Sequence, residues 1–202
     1  MTTDTVARLK ITLDEIKPAI LRRVEVPFDI RLDRLHLVIQ AAMGWTNSHL
    51  FEIRARDVGW SIPFPGETAD FIDARKARLN HVLEDLGTKT LKYIYDFGDD
   101  WEHTIKLERL AAAEPAKVYP RLIEAKGRCP PEDVGGPWGY LEFVEAVNDP
   151  EHERHKELAE WNGDTGFDPA AVDVDLLTRS VAALAGRWVL GPPAGRRRRS
   201  TA

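Results

Sequence analysis

With 202 residues, 43% of them hydrophobic, the chain can bury one sizeable core, and its single cysteine, Cys129, excludes both an intramolecular disulfide and a cysteine-rich zinc site. The formal net charge is −5, but residues 187–202 hold five arginines and no acidic residue, so residues 1–186 carry −10 and offer no broad basic face for nucleic acid. No stretch is long and apolar enough to span a membrane and the first residues lack the apolar run of a signal peptide, so we expect a cytoplasmic protein.

The N-terminal part of the chain predicts a strand hairpin, a helix, a further strand and a loop. VARLKITLDEI alternates between apolar and polar residues as a half-buried strand does, and AILRRVEVP predicts a second strand that ends at Pro27. From Leu32 onwards apolar residues recur every three or four positions until Gly44, which predicts a helix. HLFEIRARD predicts another strand, and the prolines and glycines of residues 59–73 predict a loop.

The rest of the chain predicts a second hairpin and then helices. Asn80 is predicted to cap a short helix over residues 81–86, and two strands flank the motif YDFGDDWEHTI at residues 95–105. Residues 115–137 are rich in proline and glycine and predict a long loop, after which three segments have helical periodicity. The fold class predicted is therefore α+β, with an antiparallel sheet and hairpins in the N-terminal two-thirds and helices packed on it, concentrated in the C-terminal third. We predict a single domain over residues 1–186 and a basic, disordered tail over residues 187–202.

Hydrophobic alternation suggests a register for the second hairpin. The apolar rows of its two strands share a face if Phe97 pairs with Trp101, which leaves Gly98, Asp99 and Asp100 as a three-residue turn. That register would place His103 opposite Tyr95, Asp96 opposite Glu102, and Lys92 opposite Lys106. Because like charges directly opposite one another are unfavourable, we expect a compensating group nearby.

The acidic turn has two interpretations. A divalent cation or an arginine could compensate the carboxylates of Asp96, Asp99, Asp100 and Glu102, since hard cations prefer oxygen ligands. Alternatively, the aspartates form the turn and stay solvated without a ligand. His103 is either a hydrogen-bonded core histidine or a catalytic acid or base, and Cys129 is either a small buried residue or a nucleophile.

Five segments in a fixed order resemble the plasmid pRiA4b ORF-3-like family. They are ITLDEIKPAILRRVEVP, LDRLHLVIQAAMGWTNSHLFEI, YIYDFGDDWEHTIKLE, CPPEDVGGPWGYLEFVEAVNDPEHERHKELAEW and FDPAAVD, and the resemblance covers about residues 8–185. It implies a bacterial or archaeal α+β domain without a known activity, some members of which are labelled TnpR-like or insertion-element passenger proteins. Resolvase chemistry is not expected, because residues 1–30 contain no serine to serve as the nucleophile.

The resemblance also carries over a set of motif positions. They are His36, Trp45, His49, Asp96, Gly98, Asp99, Trp101, His103, Pro131, Glu132, Asp133, Gly135 and Gly136. Cysteines that many relatives have around CPPED are absent at the corresponding Leu122 and Val134, so no zinc site is predicted. We expect the hairpin turn and the CPPEDVGG loop to meet at one polar cleft.

We predict a non-enzymatic binding or accessory domain, linked by its family to plasmids and mobile elements. Its candidate ligand-binding residues are His36, His49, Asp96, Asp99, Asp100, Trp101, Glu102, His103, Cys129, Glu132 and Asp133. No cofactor is predicted, although a divalent cation at the acidic turn is compatible with the pattern.

Two alternatives stay open. One is a metal-dependent, hydrolase-like enzyme with His103 as acid or base, whose ion would be bound by Asp96, Asp99, Asp100 and Glu102. The other is weak DNA binding through the tail residues Arg196, Arg197, Arg198 and Arg199.

Overall fold

An eight-stranded sheet and five helices make up the part of the chain that the computed structural model describes, residues 5–63, 71–164 and 166–188. The strands are β1 (Thr5–Leu13), β2 (Leu21–Pro27), β3 (Phe51–Ala55), β4 (Val58–Ser61), β5 (Ile72–Asp73), β6 (Thr90–Tyr95), β7 (Trp101–Ala112) and β8 (Arg121–Lys126). The helices are α1 (Leu32–Met43), α2 (Leu79–Asp85), α3 (Gly136–Asn148), α4 (His155–Trp161) and α5 (Val174–Trp188). None of these helices has the length and apolarity needed to cross a membrane.

The strands follow the order β5-β4-β3-β6-β7-β1-β2-β8 across the sheet. Neighbouring strands are antiparallel except β4 and β5, which are parallel. The predicted hairpin β1–β2 is confirmed, and α3, α4 and α5 follow the last strand. The α+β prediction, with strands first and helices concentrated at the end, is therefore confirmed.

The two faces of the sheet differ in character, as strand alternation predicts. One face buries a continuous set of side chains across neighbouring strands: Phe51, Ile53, Tyr93, Tyr95, Trp101, His103, Ile105, Ile11, Leu9, Arg22 and Val24. Ion pairs between Arg8 and Glu25 and between Lys92 and Asp14 occupy the other face. The helices cover the first face, which we call the core face.

Helix α1 lies directly on the core face. The Tyr93 hydroxyl is 2.8 Å from His36 Nδ1 and accepts a hydrogen bond from the Gln40 side-chain amide, also at 2.8 Å. Near the end of α1, the carbonyl of Ala42 accepts a hydrogen bond of 2.7 Å from Arg22 Nε. Gly44 ends the helix in the left-handed conformation, as predicted, and α5 packs against both α1 and β8.

The predicted register of the central hairpin is wrong by two residues. Tyr95, not Phe97, pairs with Trp101, and His103 pairs with Tyr93. The connection is a five-residue turn, residues 96–100, and Phe97 lies on it with 47% of its surface exposed. A shift of two residues preserves which side chains share a face, so the prediction that the aromatic row points into the core holds for all of them except Phe97.

The predicted like-charge pairs are consequently absent. Lys92 faces Thr104 instead of Lys106, and Glu102 faces Ile94 instead of Asp96. The Lys92 ammonium lies 2.6 Å from a carboxylate oxygen of Asp14 and 3.5 Å from one of Glu102. These charges are therefore compensated within the sheet itself.

Other boundaries also differ from the predictions. The segments predicted as loops contain the strands β4, β5 and β8. Helix α2 begins at Leu79 with Arg78 as its N-cap, so Asn80, the predicted cap, lies inside the helix. Helix α4 is shorter than its periodic segment and begins only at His155. The tail arginines, residues 196–199, lie outside the described residues, so both the domain boundary and DNA binding by the tail stay predictions.

Candidate functional site

Three loops from distant parts of the chain meet at one end of the sheet. They are residues 44–50 between α1 and β3, residues 96–100 between β6 and β7, and residues 127–135 between β8 and α3; we call them together the loop junction. Trp45 Nε1 donates a hydrogen bond of 3.0 Å to the carbonyl of Pro130, and the amide of Gly135 donates one of 3.1 Å to Asp99 Oδ2. The hairpin turn and the CPPEDVGG loop are thus in direct contact, as the sequence led us to expect.

Glu132 holds the junction together. One of its carboxylate oxygens accepts hydrogen bonds from the amide and hydroxyl of Thr46, at 2.9 and 2.5 Å. The other accepts from the hydroxyls of Tyr95, at 2.5 Å, and Ser48, at 3.1 Å. Burial raises the pKa of Glu132, but these hydrogen bonds together outweigh it, so the pKa is lowered and the group is a carboxylate at neutral pH.

An imidazole and two carboxylates lie on the outer side of the junction. His49 Nδ1 is 3.5 Å from Asp96 Oδ2, and His49 Nε2 is 3.2 Å from Asp133 Oδ1. The angle at Nε2 is not that of a hydrogen bond, so this buried ring nitrogen has no hydrogen-bond partner among the described residues. One ligand atom from each of these three residues lies within 4.8 Å of the other two, and we call them the His-Asp-Asp cluster.

The backbone fixes where these carboxylates point. Asp96 and Asp133 both adopt the left-handed conformation, with φ of 59° and 62°, which aspartate tolerates better than most residues. Asp96 Oδ1 accepts a hydrogen bond of 3.0 Å from the amide of Gly98, and this Asx-type turn leaves Oδ2 facing His49. Asp96 is nearly buried, with 12% of its side chain exposed, whereas Asp133 is open to solvent at 69%.

The remaining candidates from the acidic turn point to other partners. Asp99 binds the amide of Gly135, and the Glu102 carboxylate lies near Lys92. Asp100 is exposed on the turn, and Trp101 is buried in the core with its ring edge-on to Tyr140. Of the four carboxylates considered together as ligands, only Asp96 belongs to the His-Asp-Asp cluster.

His36 lies behind the junction in a closed hydrogen-bond network. The donor directions follow from its partners: the Gln40 amide donates to the Tyr93 hydroxyl, which donates to His36 Nδ1, and His36 Nε2 donates to Asn47 Oδ1 at 2.5 Å. Its ring also stacks on Phe51 at 3.7 Å between centroids. Burial lowers the pKa of His36 to about 4, so the ring is neutral at pH 7.

His103 is enclosed in the core. Its Nδ1 lies 3.0 Å from the carbonyl of Trp101 and 3.3 Å from that of Tyr93, so Nδ1 must carry the proton. Its Nε2 has no hydrogen-bond partner among the described residues, and none of its surface is exposed. Burial lowers the pKa of His103 to about 4. A substrate in solution cannot exchange a proton with a ring in this position.

Cys129 lies at the start of the β8–α3 loop, beside Arg22. Burial raises the pKa of its thiol to about 12, and the nearby guanidinium only partly opposes that effect. Because the thiolate is the reactive form, this cysteine is a weak nucleophile at neutral pH.

Comparison with known proteins places the chain in a family. A model of the plasmid pRiA4b ORF-3-like protein family matches residues 5–176. The chain belongs to this family. Its relatives include the uncharacterized protein y4hQ of Sinorhizobium fredii (strain NBRC 101917 / NGR234), which is 55% identical over 184 residues that cover 91% of this chain and 94% of that protein.

A solved structure shares the fold. The crystal structure of MM3350, a protein of unknown function from Methanosarcina mazei Go1, matches with a TM-score of 0.77 and 33% identity over 88% of this chain and 97% of that one. The names of both relatives state no activity. The function of this pRiA4b ORF-3-like protein therefore has to be argued from its site.

The two buried histidines predict how the stability of this pRiA4b ORF-3-like protein depends on pH. Both have a pKa of about 4 in the folded chain against 6.5 when unfolded, so between these values the unfolded state binds more protons. Their contribution, on the order of 3 kcal/mol each, is complete above pH 6.5 and is lost as the pH falls towards 4.

Urea unfolding at a series of pH values checks this prediction. We expect the free energy of unfolding to fall steadily between about pH 6.5 and pH 4, and His36→Asn to flatten that dependence. His81→Asn is the matched control, because His81 is exposed. A free energy of unfolding that stays constant across this range would contradict the prediction.

The sequence did not single out Thr46, Ser48 and Tyr95 as part of the site. Their role comes from the four hydrogen bonds to Glu132, which join residues 37 to 86 positions apart along the chain. The one sequence signal available was the polar run TNSH between a helix and a strand, since polar loop residues often carry function.

Proposed function

We propose that this protein is a non-enzymatic, cytoplasmic binding domain that serves plasmids or other mobile elements as an accessory, and that its ligand surface is the loop junction. The ligand at this surface is a divalent transition-metal cation held by His49, Asp96 and Asp133. The proposal depends on one observation, the convergence of an imidazole and two carboxylates from three separate loops within 4.8 Å.

The chemistry of the cluster supports a cation. Zinc binds imidazole nitrogen and carboxylate oxygen at about 2.0 to 2.2 Å, so two ligand atoms of one ion lie no more than about 4.4 Å apart. The distance of 3.2 Å between His49 Nε2 and Asp133 Oδ1 falls within that limit. The mixed nitrogen and oxygen set favours Zn²⁺ or a similar transition metal over Mg²⁺ or Ca²⁺. A cation would also give His49 Nε2 the partner that it lacks.

Binding is better supported than catalysis by the groups around the cluster. His103, the acid or base of the enzymatic alternative, is enclosed in the core, and the thiol of Cys129 has its pKa raised to about 12. A cleft of about 670 Å³ opens beside His49 and extends along Asn47 and Phe51. A bound cation would thus lie at the edge of a space that a further ligand group can enter.

Calorimetric titration of Zn²⁺ into chelator-treated protein tests the proposal. We expect one ion per chain to bind, and Asp96→Asn and His49→Ala to weaken its binding by about tenfold or more each, since each removes one of three ligands. Elemental analysis after dialysis gives an independent measure of the number of ions.

Asp100→Asn is the matched control for Asp96→Asn. Asp100 lies on the same turn, is also left-handed with φ of 54°, and lies outside the cluster, so its replacement removes the same charge. The affinity for Zn²⁺ should then be unchanged. If wild-type protein binds no stoichiometric ion, or if Asp100→Asn weakens binding as much as Asp96→Asn, the proposal is wrong. In that case the cluster is an interaction of His49 with the carboxylates of Asp96 and Asp133, without a bound ion.

A further inference from the structure

A second cleft is lined by residues 128–132 of the β8–α3 loop, and no residue of the His-Asp-Asp cluster lines it. It has a volume of about 720 Å³ and lies between the end of α1, the first residues of that loop and the segment that leads into α5. Its walls are largely apolar, with Met43, Trp45, Phe167, Leu176 and Leu177. We call it the arginine cleft, because two arginines also line it.

Arg22 is a buried cation without an anion. It occupies a core-face position of β2 opposite Ile11, and its exposed surface is 0%. Its Nε donates to the carbonyl of Ala42, and its Nη1 donates to those of Leu21 and Lys126 at 2.8 and 2.9 Å. Among the described residues, no carboxylate forms an ion pair with Arg22.

Such an arrangement is unfavourable unless something compensates it. Burying a charge away from water is unfavourable, and three carbonyl dipoles offset only part of that cost. The neighbouring Cys129 is not the missing anion, because its pKa is raised to about 12 and the thiol is neutral at pH 7. Arg22 therefore contributes a guanidinium without a carboxylate partner to the lining of the cleft.

A second guanidinium on the same cleft strengthens the case. Arg128 stacks over the ring of Phe167 at 4.3 Å and has no ion pair among the described residues. The two acidic residues on the wall are already engaged: Glu132 by the loop junction, and Asp173 by the amide of Leu176 at the start of α5. Residues 1–186 carry a net charge of −10, so most basic side chains in this chain have acidic neighbours to pair with. Two arginines without an ion pair on one cleft are therefore unexpected.

We propose that the arginine cleft binds a small organic oxyanion. Its carboxylate or phosphate group would accept hydrogen bonds from Arg22 and Arg128, and its apolar part would pack against Trp45 and Phe167. Guanidinium is the usual partner of such oxyanions, and apolar walls with a few converging polar groups are typical of small-molecule sites. This site shares no ligand atom with the His-Asp-Asp cluster, so binding of an oxyanion here and binding of a cation at the cluster can be tested independently.

Four simple compounds test this proposal on the full-length protein. Calorimetry and the fluorescence of the tryptophans, of which Trp45 lies on the wall, should show saturable binding of phenylacetate and phenyl phosphate with a Kd below about 1 mM. Phenylacetamide, which has the same shape without the charge, should bind about tenfold more weakly or worse. Inorganic phosphate alone should also bind more weakly than phenyl phosphate, because it leaves the apolar walls unused.

Variants identify the residues responsible. Arg22→Met and Arg128→Gln should each weaken phenyl phosphate binding by about fivefold to tenfold, while Arg179→Gln, on an exposed position of α5, leaves it unchanged. Asp96→Asn should also leave it unchanged, which separates this cleft from the cation site. If circular dichroism shows that Arg22→Met does not fold, the proposal is tested by Arg128→Gln and by the difference in affinity between phenylacetate and phenylacetamide.

Equal affinities for phenylacetate and phenylacetamide would overturn the proposal. So would inorganic phosphate that binds as tightly as phenyl phosphate, or the absence of saturable binding by any of the compounds. An affinity that is lost equally in Arg179→Gln and Arg128→Gln would show attraction by overall charge rather than binding in this cleft.

Discussion

Gly136→Ala should lower the free energy of unfolding by about 3 kcal/mol. Gly136 adopts the left-handed conformation with φ of 68°, and a Cβ at this position would lie 2.3 Å from the backbone carbonyl oxygen of Asp99. Backbone cannot move aside as the end of a flexible side chain can. The methyl group would therefore separate the hairpin turn from the start of α3, and with it Asp96 from Asp133.

Gly163→Ala provides the matched control. Gly163 has nearly the same φ, 72°, but a Cβ there would meet nothing within 4 Å. The control should cost only about 1 kcal/mol, which is the penalty of a left-handed alanine. Urea unfolding of the two variants measures the difference, and Zn²⁺ affinity should fall only in Gly136→Ala. Equal losses of stability would show that the turn and the loop do not depend on their close contact.

How much of the fold the sequence could predict is clearest in the central hairpin. Alternation placed Tyr93, Tyr95, Trp101 and His103 on the buried face, because side-chain direction repeats every two residues. The same periodicity cannot distinguish registers that differ by two, so the pairing of Phe97 with Trp101 was an error that alternation could not detect. The turn decides the register through the left-handed Asp96 and Asp100, and that conformation is available to aspartate but not required by it.

Strand β8 shows a second limit of sequence patterns. It is an edge strand in which Leu122 is the one buried residue, so RLIEAK has no alternation to recognise. The prolines and glycines on either side then predict a loop. Its pairing with β2 positions the following loop, which carries Cys129, Glu132 and Asp133, beside the hairpin. A strand without a periodic signal thus determines the location of the site.

The members of the candidate site were predictable individually but not as a group. His49, Asp96 and Asp133 were all candidates, yet the sequence grouped Asp96 with the other carboxylates of its own turn. Their convergence requires β3 to pair with β6, with Phe51 opposite Tyr95, and such pairing between distant segments leaves no local signal. Glu132 likewise has partners that lie far away in the sequence, and the positive φ of Asp133 directs its carboxylate outward.

Glu132→Ala should lower the free energy of unfolding by about 3 kcal/mol and release the β8–α3 loop from the α1–β3 loop. The substitution leaves the Thr46 amide and the hydroxyls of Tyr95 and Ser48 without their acceptor, and hydrogen bonds to a charged group are worth more than neutral ones. Tyr95→Phe removes one of these bonds and also the acceptor of the Ser48 and His49 amides, so it should cost about 2 kcal/mol. Glu153→Ala, at an exposed glutamate whose side chain makes no hydrogen bond or ion pair among the described residues, is the control and should be nearly neutral.

The pH dependence of the Glu132→Ala effect distinguishes a carboxylate that holds the junction from one that merely fills space. The pKa of Glu132 is lowered in the folded chain, so its contribution is fully present above the unfolded pKa of about 4.3 and is lost as the pH falls through the folded pKa. The difference in unfolding free energy between wild type and Glu132→Ala should therefore be constant from about pH 8 to pH 5 and shrink below about pH 4. Glu132→Gln, which keeps the volume but not the charge, should be destabilised at pH 7 and approach wild type in acid. A difference that does not change with pH would show that the junction depends on the shape of this side chain and not on its charge.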